Sequence, residues 1–134
     1  MKIKEIGRYF ELPIVGLKIN QIIFTGRITL VFDDDEKSYL QLDSEFLVTQ
    51  YNQTNALNPT SKEALLLFYD HFNQPIKEAK ADRNGNLWLT FNNGTELQVE
   101  DGPYENWHYT KRSIQRSSDT LSIHGGVGRT IIIE

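Results

Sequence analysis

Near its C-terminal end the chain reads His124-Gly125-Gly126-Val127-Gly128-Arg129. Three glycines between a histidine and an arginine are the ingredients of a phosphate-binding loop, where bare backbone N–H groups can approach an anion. Such a loop carries Lys-Ser/Thr after its last glycine and opens a helix whose N-terminus completes the site. Here Arg-Thr and three isoleucines follow, a β-branched run suited to a strand. The spacing also misses G-x-G-x-x-G. The glycines are therefore read as the turn that delivers Ile131, Ile132 and Ile133 into a sheet, with missing side chains allowing close backbone approach.

The three histidines are His71, His108 and His124. His108, Lys111 and His124 are the residue types of an acid–base centre for phosphodiester cleavage. His108, His124 and Arg129 could equally serve a small ligand-binding or hydrolytic β-domain. Both readings need convergence in one pocket, which the spacing does not impose. His71 falls near the end of a predicted helix, where an imidazolium suits the dipole. No G-x-S-x-G elbow is present for a serine nucleophile, and Ser113–Asp119 reads as a polar loop. Asp82-x-Asn84-x-Asn86 begins like a calcium loop. Leu87 and Asn93 then stand where glycine and the twelfth-position carboxylate belong, so a β-turn is expected instead. The run Asp33, Asp34, Asp35, Glu36 is a solvated turn whose consecutive side chains diverge. No catalytic residue, cofactor or metal is assigned.

The two tryptophans differ in phase. Trp88 alternates out of step with Leu87, Leu89 and Phe91, so it occupies the opposite strand face, where core or helix packing is expected and the alternative is a partly exposed side chain available to bind. In "PYENWHY", Trp107 and Tyr109 share one face and His108 takes the other. Aromatic anchors carry much of the energy of many interfaces, which makes this a candidate recognition surface. The alternative is a core strand.

Composition bounds the function classes. The chain has 134 residues, 39% of them apolar, with two Trp, six Tyr and seven Phe, enough for one globular domain. There is no cysteine, which excludes disulfides, thiol nucleophiles and Cys-type zinc sites. No long apolar run suggests a membrane span, and "MKIKEIGRYFELP" lacks a signal-type apolar stretch, so a cytoplasmic protein is expected. Net charge is −4, and the acids are clustered. Between Ile28 and Ser61 six acids face the single base Lys37; between Asn84 and Thr110 four acids stand without Lys or Arg. The one basic cluster is Lys111, Arg112 and Arg116. Nucleic acid would be repelled by most of this surface, and a basic protein partner attracted.

The positioning elements come from a repeat. Gly26 and Gly85 each precede an alternating run, Ile28, Leu30, Phe32 in one and Leu87, Leu89, Phe91 in the other. Leu40 and Leu42 then match Leu97 and Val99 across the turns "DDDEK" and "NNG". Each copy reads as a three-stranded meander with one face inward. The first copy spans about 14–50 and the second about 74–110. Between them Thr60 or Ser61 can cap a helix over about 61–72, with Thr60-x-x-Glu63 at capping-box spacing and Pro75 beyond the end. Leu65, Phe68, Tyr69 and Phe72 recur at helical intervals. The segment Gln50–Pro59 reads as a polar loop, and strands fill about 119–134. The predicted fold is α+β and mostly β. Two antiparallel meander repeats are joined by one amphipathic helix, in a single domain that forms one sheet or a small sandwich.

The run Gly85–Gly94 fits G-x-L-x-[LVW]-x-F-x-[DN]-G, Tyr104-Glu105-Asn106-Trp107 gives Y-E-x-W, and Gly125-Gly126 precedes the last apolar strand. Together these resemble a group of small bacterial proteins of unknown function, over most of the chain from about Leu12 onward. "HGGVGR" departs from that pattern in its extra glycine. Such proteins look similar to immunity proteins encoded beside bacterial polymorphic or contact-dependent toxins. The resemblance implies a binding role and brings no catalytic residues.

The leading expectation is thus a non-enzymatic immunity-type protein that occludes a basic toxin domain. The residues expected at the interface are Asp33, Asp34, Asp35, Glu36, Glu105 and Trp107. The alternative is the ligand-binding or hydrolytic domain using His108, His124 and Arg129. A third reading is self-association through the apolar edge "TIIIE".

Overall fold

In a computed structural model, the structure describes residues 2–115 and 119–134. Arg116, Ser117 and Ser118 lie outside them, and so do one member of the basic cluster and the middle of the Ser113–Asp119 loop. The chain opens with a short hairpin, β1 (Lys4–Ile6) and β2 (Tyr9–Glu11). The first predicted meander follows as β3 (Ile19–Phe24), β4 (Ile28–Phe32) and β5 (Tyr39–Leu42). A second hairpin, β6 (Phe46–Gln50) and β7 (Gln53–Leu57), leads to α1 (Lys62–Tyr69). The second meander is β8 (Ile76–Asp82), β9 (Leu87–Phe91) and β10 (Glu96–Val99). The chain closes with β11 (Glu105–Arg112), β12 (Thr120–Gly126) and β13 (Arg129–Ile133).

The strands form two antiparallel sheets. One has seven strands in the order β1-β2-β8-β9-β10-β6-β7, the other six in the order β13-β12-β11-β5-β4-β3. The two meanders therefore lie in different sheets and do not join as one. Leaving β5, the chain crosses to pair β6 with β10; leaving β10, it crosses back to pair β11 with β5. Each copy thus places three strands in one sheet and the next hairpin in the other. The repeat unit is five strands long, two more than the alternation alone revealed.

All ten matched apolar positions of the two copies are fully buried. Leu30 sits opposite Leu40, and Leu89 opposite Leu97, as period-two alternation on paired strands requires. These residues join Phe46, Phe68, Trp107 and Tyr109 in one apolar cluster fed by both sheets and the helix.

Two local expectations are corrected. Gln53–Leu57 is a strand, not loop: Tyr51 and Asn52 both adopt positive φ, 51° and 63°, the two-residue hairpin conformation that folds β7 back on β6. Its side chains are almost all exposed, so no apolar alternation marks it. The helix has eight residues and stops at Tyr69, before Phe72. Ser61 is its cap, its Oγ accepting from the Ala64 N–H at 3.2 Å, while Thr60 Oγ1 donates to Asn58 Oδ1 at 2.7 Å. Past Tyr69 the N–H of His71 bonds the Phe68 carbonyl, three residues back, which tightens and ends the last turn. Phe68 anchors the helix, its ring centroid 5.8 Å from that of Phe46. No helix among the described residues is long and apolar enough to cross a membrane.

The glycine-rich segment divides its labour. Gly125 and Gly126 belong to β12, and the turn itself is Val127-Gly128, both at positive φ. Gly125 has the Trp107 indole directly over its Cα, so a Cβ there would collide with Nε1 and Cε2. The same indole donates from Nε1 to the Gly85 carbonyl at 2.9 Å.

Candidate functional site

A groove of about 730 Å³ opens between α1 and the β6–β7 hairpin. Its apolar part comes from Val48 and Leu57 on the strands and from Leu66 and Leu67 on the helix. Glu63 and Asp70 stand along the helix side, and no lysine or arginine is among the lining residues. Tyr51, at the hairpin tip, is 95% exposed, and Leu66 is 47% exposed. Leu66 is exposed for a reason visible in the sequence. Three consecutive leucines, Leu65 to Leu67, span about 200° of a helix, more than one buried face can take. That surplus leucine was the available signal for this surface.

The groove's inner end is fixed by His71. Its ring is buried, with Nδ1 donating to the Leu67 carbonyl at 2.6 Å and satisfying the helix end directly. Nε2 is left to accept, 3.0 Å from Thr95 Oγ1 and 3.2 Å from Asn93 Nδ2. Gln50 Nε2 donates to the same Thr95 oxygen at 3.2 Å. This polar chain ties α1 to β6 and to the start of β10. His71 is thus a positioning residue at the helix end. Asp70, at the helix C-cap, is placed against the dipole, since no basic residue occupies the last turn.

On the outer face of the six-stranded sheet, His108 and His124 are cross-strand neighbours. Their ring centroids are 4.1 Å apart. Thr110 Oγ1 lies 2.9 Å from His108 Nε2, and Glu105 Oε2 lies 3.9 Å from His124 Nδ1. Burial pushes the His108 imidazole below its ordinary value, and neighbouring His124 adds to this; Glu105 and Asp43 act the other way. Arg129 is exposed and shares this sheet face, since its pairing with Gly126 puts it two positions along from the His124–Ile131 pair. Two of the three residues in the alternative reading are therefore in contact. Lys111, the third member of the proposed acid–base set, alternates to the other face of β11, with Nζ 3.8 Å from Asp34 Oδ2.

The six residues expected at an interface do not form one surface. Trp107 is fully buried on the face it shares with Tyr109, so the expected surface role is corrected: it is a core side chain. Asp34 is 8% exposed at its side chain, and its Oδ1 accepts from the Ser38 N–H at 2.9 Å. Asp33 accepts from the Lys18 N–H at 3.0 Å. Asp34 thus shapes the β4–β5 turn, and Asp33 ties that turn to the segment before β3. Asp35 is exposed and Glu36 half-buried. Glu105 is exposed at the opposite end of β11 from Lys111, about 20 Å away at the strand rise. Trp88 lies half-buried on the outer face of the seven-stranded sheet, edge-on to Tyr9 with ring centroids 5.8 Å apart. The expectation of core or helix packing is corrected: Trp88 is outside the apolar core, and its aromatic contact is with a residue of its own sheet on β2. Asp82 organises its turn by accepting from the N–H groups of Asn84 and Asn86, both at 3.0 Å. Among the described residues no three His, Asp or Glu side chains gather as a metal site.

A family model describing a family of unknown function (DUF6188) matches residues 10–117. The chain belongs to that family. The matched segment runs from β2 through β11 and includes the whole groove; His124 and the glycine-rich turn lie beyond it. No curated protein and no solved structure matches the chain.

Proposed function

We propose that this chain is a cytoplasmic immunity-type binding protein, without enzymatic activity, that neutralises a bacterial toxin by occluding its active surface. The observation that carries this reading is the groove beside α1, where exposed Leu66 and Tyr51 adjoin two carboxylates and no lysine or arginine. Exposed apolar side chains around a concavity mark partner surfaces. The carboxylates favour a basic toxin domain, such as a nuclease, and would raise its association rate. The docking face thereby moves from the Asp33–Glu36 turn and Trp107 to α1 and β7, and Asp35 and Glu36 remain as long-range steering charges. In the same reading the two sheets pack face to face as a small sandwich over their shared core.

Co-expression with the product of the adjacent gene tests this. A stable complex on co-purification and protection from growth arrest are expected. A protein that neither binds that product nor protects the cell is not an immunity protein.

One observation favours the runner-up, a small ligand-binding or hydrolytic domain: the contact between His108 and His124. It predicts an activity lost in a His108→Gln, His124→Gln double variant and kept when Glu63 and Asp70 are changed.

A further inference from the structure

We propose that β7 is a docking edge. An extended, basic segment of a protein partner adds beside it as an eighth strand of the seven-stranded sheet, directing alternate side chains into the groove toward Glu63 and Asp70. This rests on the binding reading above and specifies the partner's chemistry and mode.

Four strands end the two sheets, and three carry features that hinder pairing with another chain. On β13, the Thr130 N–H donates to the Arg83 carbonyl at 3.0 Å and Thr130 Oγ1 to the Asp82 carbonyl at 2.6 Å, so the β8–β9 turn occupies the first outward-facing position of that edge. This also disfavours self-association through "TIIIE". On β3, a bulge breaks the register between Ile19 and Gln21. β1 has only three residues, and its Lys4 and Glu5 are held in ion pairs with Glu11 and Arg83. β7 has none of these features. It is five residues long, uncharged, free of proline, and in unbroken register with β6.

The hairpin fixes which groups are free. A two-residue loop makes Gln50 and Gln53 the closing hydrogen-bonded pair, so Val48–Asn55 and Phe46–Leu57 are the next such pairs. The N–H and C=O groups of Thr54 and Ala56 then point away from β6. An added strand would bond to these groups. Asn55 and Leu57 share the face of Val48 and Phe46, the groove side. The added strand's groove-side residues would therefore continue that row beneath Leu66.

Charge selects the occupant. Among the described residues neither Glu63 nor Asp70 has an ion-pair partner, and Asp70 sits where the helix dipole disfavours it. A lysine or arginine arriving from the partner relieves that repulsion. Glu63 and Asp70 are about 10 Å apart along the helix axis. Same-face residues on a strand are about 7 or 13 Å apart, a span that long basic side chains cover. Strand addition supplies main-chain affinity and the alternate pockets supply selectivity.

The test is selection of displayed random peptides of about ten residues on the full chain. Enriched peptides are expected to carry Lys or Arg at alternating positions. A synthetic copy should lose at least about ten-fold in affinity against Glu63→Lys, Asp70→Lys, against Ala56→Pro, and when its β7-facing amides are N-methylated. N-methylation of the other amides should leave binding unchanged. The methylated peptides keep the test decisive even where Ala56→Pro does not fold. Absence of enrichment, enriched peptides without basic residues, or binding indifferent to N-methylation overturns the proposal. If peptides fail in these ways while the adjacent gene's product is still bound, the docking edge is wrong and the immunity reading stands. If peptides bind as expected but that product is neither bound nor neutralised, the edge stands and the immunity reading falls.

Discussion

Replacing Gly125 by alanine puts the contact between β12 and the Trp107 indole to a quantitative test. Gly125 is an ordinary extended residue with no positive φ, so the substitution carries no backbone penalty. The new Cβ would stand inside the van der Waals envelope of Trp107 Nε1, Cε2 and Cζ2. Trp107 is fully buried and its neighbours fill the core, so the indole cannot yield outward. Overpacking of this kind costs about 1–3 kcal/mol. Displacing the ring also strains its bond to the Gly85 carbonyl, and a buried donor left unmade costs a further ~1–3 kcal/mol. The expected loss is about 2–6 kcal/mol, or roughly 6–24 °C in Tm for a chain of this size. Urea unfolding followed by tryptophan fluorescence measures it. In a Trp107→Phe background the smaller ring leaves room, so Gly125→Ala should then cost under about 1 kcal/mol. A Gly125→Ala protein within about 0.5 kcal/mol of the parent, or additive losses in the double variant, would refute the steric account.

Leu30→Ala and Leu89→Ala occupy equivalent positions in the two copies, and each should cost about 2–5 kcal/mol by denaturant unfolding. Ser61→Ala removes the helix cap and should cost about 1 kcal/mol, with Thr60→Ala cheaper because Thr60 does not cap. His108 is held below its ordinary value in the folded state, so the unfolded chain binds the proton more readily. Its stabilising effect is present above about pH 6.5 and lost as pH falls below that value. The urea midpoint of the parent should therefore drop on acidification through that range more steeply than that of His108→Gln; equal slopes would exclude His108 as the titrating group.

Much of the core could be read directly. Ile28, Leu30 and Phe32 alternate with polar residues, and so do Leu87, Leu89 and Phe91; period two on apolar residues is sufficient to place them inward. β7 escaped because "QTNAL" buries almost nothing, leaving only the Tyr51-Asn52 turn to betray it. Periodicity places the helix end too late, because Phe72 keeps helical phase with Phe68 although the backbone has already turned. Trp107 shows the limit most plainly. Alternation says which residues share its face, yet which face is interior depends on β5 pairing beside it, from more than sixty residues away in the chain. The groove combines residues of three separate elements, and local spacing cannot bring those together. The contact of His108 with His124 is similar: its partners lie on strands joined through Ser113–Asp119, whose length fixes no register.

The crossing of strands between the copies has a consequence for how this molecule assembles. Each half closes its partner's sheet, as in a domain-swapped dimer collapsed into one chain. Neither half has a complete sheet to fold on its own, so the protein should unfold as a single cooperative unit without a surviving subdomain. The pairings that complete it, β5 with β11 and β6 with β10, join residues distant in sequence, which makes folding slow for its size. Cutting the chain in the loop after α1 should yield two fragments that are each unstructured alone and that reconstitute the fold when mixed.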